Sequence, residues 1–506
     1  MISRRALLVS MAAAAATPSW AKPELVIAET HFTANLVADM ARDLAKADYV
    51  PALQIPQEWL DLTYDEFSHI WFDPRNGIWV DEDRPMKMDL FNAGLYVPRP
   101  AEVNLVEAGV AKTLGFDMNL FATTDEFPEL PIGDTMGYSG FRLRAALTTP
   151  DIFEEFVVFQ GASYFRAIAN GQNYGLSARG LALRTGDPDG EEFPDFTKFW
   201  VEAASPGDTE FVIHALLDGP STTGAYTFRI QAGDKGEPTV MNVDCTLFPR
   251  VDLTHVGLGP LTSMFLFDET NRNRFDDFRP AVHDSEGLLI VNGNGEKIWR
   301  PLANPTSVQV SSFTDENPQG FGLMQRNRTA DDYADLEAHY ENRPSLWITP
   351  NEGWGKGVVE LVEIPADLEI YDNIVAYWRP ADPMMTGTEH RFGYSMQWGD
   401  EPAGLPDVAR VTNTRIGKGF DQVKTVIAID FTDHPDLPED LSEVSLTIRS
   451  NNGEVSTGIL QRNPGTGGVR LAFSLLPGDA QAAEMRAQMH MNGTAISEVW
   501  LYRWTI

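Results

Sequence analysis

The sequence predicts an all-β protein made of a large N-terminal β-sandwich and a C-terminal Ig-like β-sandwich. Three observations lead there. Short runs that are apolar, or that alternate in polarity, recur along the chain and end at Gly, Asn, Asp or Pro, the pattern of strands and turns. The 506 residues exceed what one ordinary core accommodates. The final stretch fits about seven short strands into roughly 115 residues, the density of an Ig-like sandwich.

Taken in order, residues 1–21 read as an export signal. "MISRRALLVSMAAAAATPSWA" has a basic start, an apolar stretch over 6–16 and a Ser19-Trp20-Ala21 cleavage pattern. The Arg4-Arg5 pair points to the twin-arginine (Tat) route and so to a mature protein in the periplasm. The apolar stretch is too short to span a bilayer, and no later one reaches about 18 residues. One amphipathic helix follows in "FTANLVADMARDLAKADY", where Leu36, Met40 and Leu44 share a face and Thr33 or Asn35 caps the start. The rest of residues 22–380 is mostly strand, as in "KMDLFNAGLYV", "EFVIHALLD", "AYTFRIQAG", "TVMNVDCTLF" and "LLIVNGNGEKIWR". "RPADPMMTGTEHR" reads as a linker over 381–390. Strands resume over 391–506 in "RFGYSMQWG", "KTVIAIDFT", "EVSLTIRS", "VRLAFSLL", "EMRAQMHM" and "SEVWLYRW".

Composition removes some function classes. A net charge of −34 repels nucleic acid and anionic membranes, so a neutral or cationic ligand is expected. The single cysteine, Cys245, permits neither an internal disulfide nor a Cys-based metal cluster and reads as a small core residue. "GLSARG" misses the spacing of a nucleophile elbow, and no Walker loop or H-E-x-x-H is present. "GNGEKI" and "GWGKG" lack the dinucleotide fingerprint. "DETNRNRFDD" spaces its oxygens like a calcium loop but lacks the Gly and terminal Glu, and reads as a polar loop. No cofactor and no metal are expected.

What remains is carboxylates among aromatics. "RPAVHDSEGLLI" offers Asp284 beside His283, Ser285 and Glu286. "NGNGEKIWRPLANP" offers Glu296 and Arg300, and "YENRPSLWITPNEGWGKG" offers Tyr340, Arg343, Trp347 and Trp354. "YDNIVAYW" places Asp372 ahead of an apolar run. A cleft binds sugars by stacking ring faces on aromatics and hydrogen-bonding hydroxyls to polar groups. Glycoside hydrolysis needs one protonated and one ionised carboxyl group. By pattern alone the plainer reading is stronger: Asp284 suits an Asx turn, Asp372 a strand-entry turn, and the aromatics a core.

Longer blocks decide more. "GASYFRAIANGQNYGLSARGLAL", "GEEFPDFTKFW", "ALLDGPSTTGAYTFRI", "RPAVHDSEGL", "NGNGEKIWRPLANP", "RPSLWITPNEGWGKGVVELVEIP" and "DNIVAYW" together resemble the OpgG/OpgD (MdoG/MdoD) family of periplasmic osmoregulated glucan biosynthesis proteins. The resemblance covers nearly all of the mature chain. The leader and the ending "AISEVWLYRW" look nearer the OpgD branch. It implies a galactose-mutarotase-like first sandwich and action on the β-1,2-glucan backbone as an anomer-inverting endo-β-1,2-glucanase. A glucan transglycosylase and a non-catalytic glucan-binding accessory protein are the alternatives. Asp372 matches the family's general acid and Asp284 its general base, with Tyr340 and Arg343 as sugar contacts or part of a proton relay. Trp347, Trp354, Glu296 and Arg300 complete the expected substrate contacts. The expected partners are β-1,2-glucan, other glucan biosynthesis proteins and a second copy in a homodimer. The family's cleft-enclosing loops vary, and "DVARVTNTRIGKGFDQVKTV" is shorter than in some OpgD-like chains, which would alter activity if that loop completes the site. The apolar run after Asp372 would keep it protonated near neutral pH, and the polar text around Asp284 would keep that group ionised.

Overall fold

A computed structural model describes residues 25–505, so the export signal expected over 1–21 lies outside the described residues. The amphipathic helix forms over Ala34–Leu44, with Thr33 in extended conformation ahead of it. Its Val37 and Ala41 are buried against Trp200, Leu216 and Phe248. Almost everything else is strand, and the chain is all-β. Alternation sets the faces. In Thr239–Pro249 the buried Met241, Val243, Cys245 and Leu247 point one way, two residues apart, into the main core.

The first sandwich packs a ten-stranded sheet against a sixteen-stranded one. Phe159, Phe199 and Phe228 stack edge to face between them, and Trp378 and Trp398 fill the same core. The strand Ile374–Pro380 lies inside the smaller sheet, between Lys356–Glu363 and Val256–Ser263.

The linker expected over 381–390 does not part the two sandwiches. His390–Gly399 is an interior strand of the large sheet, paired with Thr239–Pro249 on one side and Ser345–Pro350 on the other. The Pro- and Gly-rich stretch before it is a surface turn, pinned where Met384 bridges Leu253. Such residues mark any reversal of the chain, and here the reversal falls inside the first domain. The crossing to the second sandwich comes after Gly399, in the irregular stretch before Val411–Lys418.

The Ig-like second sandwich joins the first through shared β-structure. Val499–Thr505 pairs in parallel with Lys297–Pro301, so four C-terminal strands extend the large sheet. A separate five-stranded sheet covers them. The stretch "DVARVTNTRIGKGFDQVKTV" lies in a hairpin of that second sheet, Val411–Lys418 against Thr425–Phe431.

Buried charges knit the interface. Glu498 is fully buried and accepts hydrogen bonds from Arg326 at 2.8 and 2.9 Å and from the Val411 amide at 2.8 Å. Lys297 lies 3.4 Å from it, and the Arg326 guanidinium lies over Trp299 at 3.8 Å. Removing one partner of such a set strands the others without water. Glu498→Ala is expected to lower unfolding free energy by about 3–5 kcal/mol in urea titration, with Glu498→Gln losing less.

Candidate active site

Two acids distant in sequence are positioned by one short stretch of backbone. Ser263–Phe265 ends one strand and begins another. The Asp284 amide donates to the Met264 carbonyl at 2.8 Å. The Asn373 amide donates to the Ser263 carbonyl at 3.1 Å. The Asn373 side chain then brackets Phe265, accepting from its N–H at 2.8 Å and donating to its carbonyl at 2.9 Å. A further bond from Asn373 reaches the Ile364 carbonyl at 3.0 Å. Asp372 and Asp284 are therefore both anchored next to the same three residues.

Asp284 is buried and ion-paired to Arg343. Burial pushes its pKa up to about 6, Arg343 and Arg166 pull it down, and the charge of Asp372 pushes it up. The Arg343 guanidinium rests on the Tyr340 ring, 4.2 Å from the centroid, and also donates to the Ala338 carbonyl at 3.3 Å. A Cβ at position 175 would stand 2.9 Å from the Arg343 Cβ, so Gly175 leaves room for that arm. Tyr340 itself is buried; its hydroxyl donates to Glu369 at 3.2 Å and its ring packs on Tyr333. It forms a platform beneath Arg343.

Asp372 stands in the loop before Ile374–Pro380 and is exposed, with no hydrogen bond or ion pair to its carboxylate among the described residues. It nonetheless sits in a crowded hollow. Desolvation raises its pKa, while Arg166, Arg179 and Arg343 lower it in part. The apolar run does not supply that environment, because Ile374, Ala376 and Trp378 point into the main core and Val375 and Tyr377 into a smaller one. The two expected environments are exchanged: Asp284 is the buried acid and Asp372 the open one. Sequence polarity misleads at Asp284 because its polar neighbours are themselves buried and each makes a hydrogen bond within the protein. His283 shares a 2.8 Å hydrogen bond with Gln325, Ser285 accepts one from Ser263, and Glu286 accepts from the Arg326 and Asn327 amides. Burial lowers the His283 pKa to about 4, which leaves it neutral.

Of the eight residues expected at the site, Asp284, Asp372, Tyr340 and Arg343 come together. The other four lie elsewhere. Trp347 is buried in the core shared with the second sandwich. Trp354 packs on Phe321, Trp378 and Tyr394. Glu296 accepts from Arg486 of the second sandwich at 2.5 Å. Arg300 is buried, ion-paired to Glu363 at 3.0 Å and set over Tyr502. Each is an aromatic or charge whose composition suits a cleft but whose strand phase turns it into packing. Sequence reasoning passed over Asn373, Arg166, Arg179 and Tyr164. Arg179 lies over the Tyr164 ring at 5.0 Å and donates to Thr262 at 2.9 Å. Asn373 was the one with a signal, an amide residue held next to an acid at a strand mouth. The Asp268 loop closes locally, its carboxylate accepting from the Thr270 amide and hydroxyl.

The fold and the site define a two-sandwich, all-β protein with a pair of carboxyl groups set among arginines at strand ends. The sequence model of the family described as periplasmic glucan biosynthesis protein, MdoG, matches residues 32–504, and the chain belongs to that family. Glucans biosynthesis protein G of Vibrio cholerae serotype O1 (strain M66-2) is 46% identical over 480 residues, covering 94% of this chain and 87% of its own. Glucans biosynthesis protein G 1 of Shewanella oneidensis is 45% identical over 497 residues, covering 97% and 90%. Both carry the G name, and they lend no support to a place nearer the OpgD branch. Among solved structures, the α-galactosidase AgaB of Geobacillus stearothermophilus overlays with a TM-score of 0.26 at 10% identity, over 52% of this chain and 39% of its own. A galactose mutarotase related enzyme from Lactobacillus acidophilus reaches 0.24 at 10% identity, over 53% and 93%. Overlaps that small carry no argument.

Two outcomes follow from the geometry. The Asp284 pKa is higher in the folded chain than the ordinary unfolded value of about 3.9. Its contribution therefore favours folding below that value and is lost as pH rises through about 6. Asp284→Asn is expected to remove a fall in stability on the order of 2–3 kcal/mol between about pH 4 and pH 6, read as the difference between denaturation series on the two proteins. Asn373→Ala leaves the Phe265 amide and carbonyl without partners, and is expected to cost about 2–4 kcal/mol in the same assay.

Proposed function

We propose that the protein acts in the periplasm on the β-1,2-glucan backbone as an anomer-inverting endo-β-1,2-glucanase that processes glucan during its biosynthesis. The observation that carries this reading is the pair Asp284 and Asp372. They are close enough for the charge of Asp372 to act on Asp284, held from one backbone stretch, and both raised in pKa. A carboxylate beside Asp284 opposes the ionisation of that group, and Arg343 opposes its protonation.

Asp372 takes the acid role. Its carboxyl group has no fixed partner, so it is free to approach a glycosidic oxygen and give up its proton as the bond to the anomeric carbon breaks. Asp284 takes the base role. The Arg343 guanidinium favours its anion, and a carboxylate with a pKa of about 6 is ionised at neutral pH yet basic enough to receive a proton. It accepts the proton of the water that attacks the anomeric carbon from the opposite face, either directly or through a hydroxyl between them. Arg343 holds the carboxylate in place, Tyr340 holds Arg343, and the charges of Arg166 and Arg179 bear on the same hollow.

Linear β-1,2-glucan is the substrate to test. Asp372→Asn and Asp284→Asn are each expected to lower kcat by about 10²–10⁴-fold while glucan binding persists. Proton NMR of the first product should show the anomer opposite to the one cleaved. Cyclic or rearranged products would establish transfer in place of hydrolysis. Glucan binding without turnover, the same in wild type and Asp372→Asn, would sink both enzymatic readings in favour of a carrier.

A further inference from the structure

Arg279 stands outside the carboxylate pair, yet three loops around the hollow meet on it. Its side chain is 13% exposed. It donates to Asp277 at 2.8 and 3.0 Å, to Asp335 at 2.8 Å, and stands 2.8 Å from Glu369. One guanidinium thus faces three carboxylates, and a planar five-donor fork is the side chain suited to that task. Burial would raise Asp335, but Arg279 and the Glu337 and Ala338 amides hold it down at about 2, and Arg279 also depresses Asp277. Asp335 and Asp277 therefore stay charged throughout the range in which Asp284 titrates.

Two routes run from this knot to the base. Along the first, Glu369 accepts from the Tyr340 hydroxyl, and the Tyr340 ring carries the Arg343 guanidinium. Along the second, Asp335 accepts from the Ala338 amide at 2.8 Å, and the Ala338 carbonyl accepts from Arg343. Both converge on the cation that pairs with Asp284. Glu369 also stands three residues before Asp372, on the segment that ends in it. We propose that Arg279 is a positioning residue for the acid–base pair, fixing Arg343 against Asp284 by two routes and tethering the segment that presents Asp372. The pairing with Asp372 rests on the enzymatic reading above; the hold on Asp284 does not.

The groups that face Asp284 are Arg343, Arg166, Asp372, Tyr333 and Tyr340. Of these, Arg343 is the one that Arg279 steadies. Loosening it weakens the pull on the Asp284 anion, so the Asp284 titration moves to higher pH. The test uses the full mature chain with Arg279→Ala, Arg279→Lys and Glu369→Gln, the last preserving volume should the first fold poorly. Two readouts are taken: the Asp284 titration midpoint, from 13C-aspartate NMR against Asp284→Asn, and the pH profile of glucan cleavage. The expected result is an upward move of the midpoint by about half a pH unit or more in Arg279→Ala and Glu369→Gln. The acidic limb of kcat/KM should shift with it, kcat should fall about 10–100-fold with KM little changed, and Arg279→Lys should recover part of the loss. A midpoint and an acidic limb that stay in place in folded Arg279→Ala and Glu369→Gln overturn the positioning role. A midpoint that moves in a protein whose wild type leaves glucan uncut upholds the hold on Asp284 and overturns the enzymatic reading.

Discussion

The site depends on the backbone of Ser263–Phe265. Two carboxyl groups can share work only if their separation is fixed, and here neither acid fixes the other. Each is tied instead to this one stretch, Asp284 through its own amide and Asp372 through Asn373 beside it. The ties are strong because they are dry. Ser263 and Asn373 are almost fully buried, so an amide or carbonyl freed there would find no water. Asn is the residue that fits, since a side-chain amide offers both a donor and an acceptor and can bracket one peptide unit from both sides.

Electrostatics then differentiates the two acids. The chain as a whole carries a charge of −34, yet Arg166, Arg179 and Arg343 converge on this hollow. The local field opposes the global one, which allows two carboxyl groups to stand near each other at all. Asp284 is desolvated but has a guanidinium in contact, so its anion is retained at neutral pH. Asp372 has no ion-pair partner among the described residues, and desolvation raises its pKa against the pull of the three arginines. Neutral, buried His283 contributes shape rather than a proton, through its bond to Gln325, which in turn reaches the Tyr340 carbonyl at 3.2 Å.

The all-β class, the early helix and most individual strands were legible in the sequence because alternation and turn residues are local signals. The domain boundary was not. A Pro- and Gly-rich stretch reports a reversal, and nothing local tells whether the next strand returns to the same sheet, as His390–Gly399 does. At the site, the two acids with Tyr340 and Arg343 came from long matching blocks. The residues taken from composition alone, Trp347, Trp354, Glu296 and Arg300, went to packing and to the domain interface. Burial of Asp284 was unreadable because polar neighbours look like solvent in a sequence. In the fold they are a hydrogen-bonded interior, and only tertiary contacts distinguish the two.

The second sandwich belongs to the mounting of the site. Glu286 follows Asp284 by two residues, and its carboxylate accepts from the backbone of Arg326 and Asn327. The Arg326 side chain continues outward to Glu401 at 3.0 Å and to Glu498, which sits at the start of the strand that extends the large sheet. Asp284 is thus gripped from two directions: by the Ser263–Phe265 stretch within the first sandwich, and by a chain of buried charges that ends in the second. Such a chain transmits displacement because none of its members can trade a protein partner for water without a large cost. Glu286 therefore links the neighbourhood of Asp284 to the interface, whereas the anchor of Asp372 through Asn373 lies within the first sandwich.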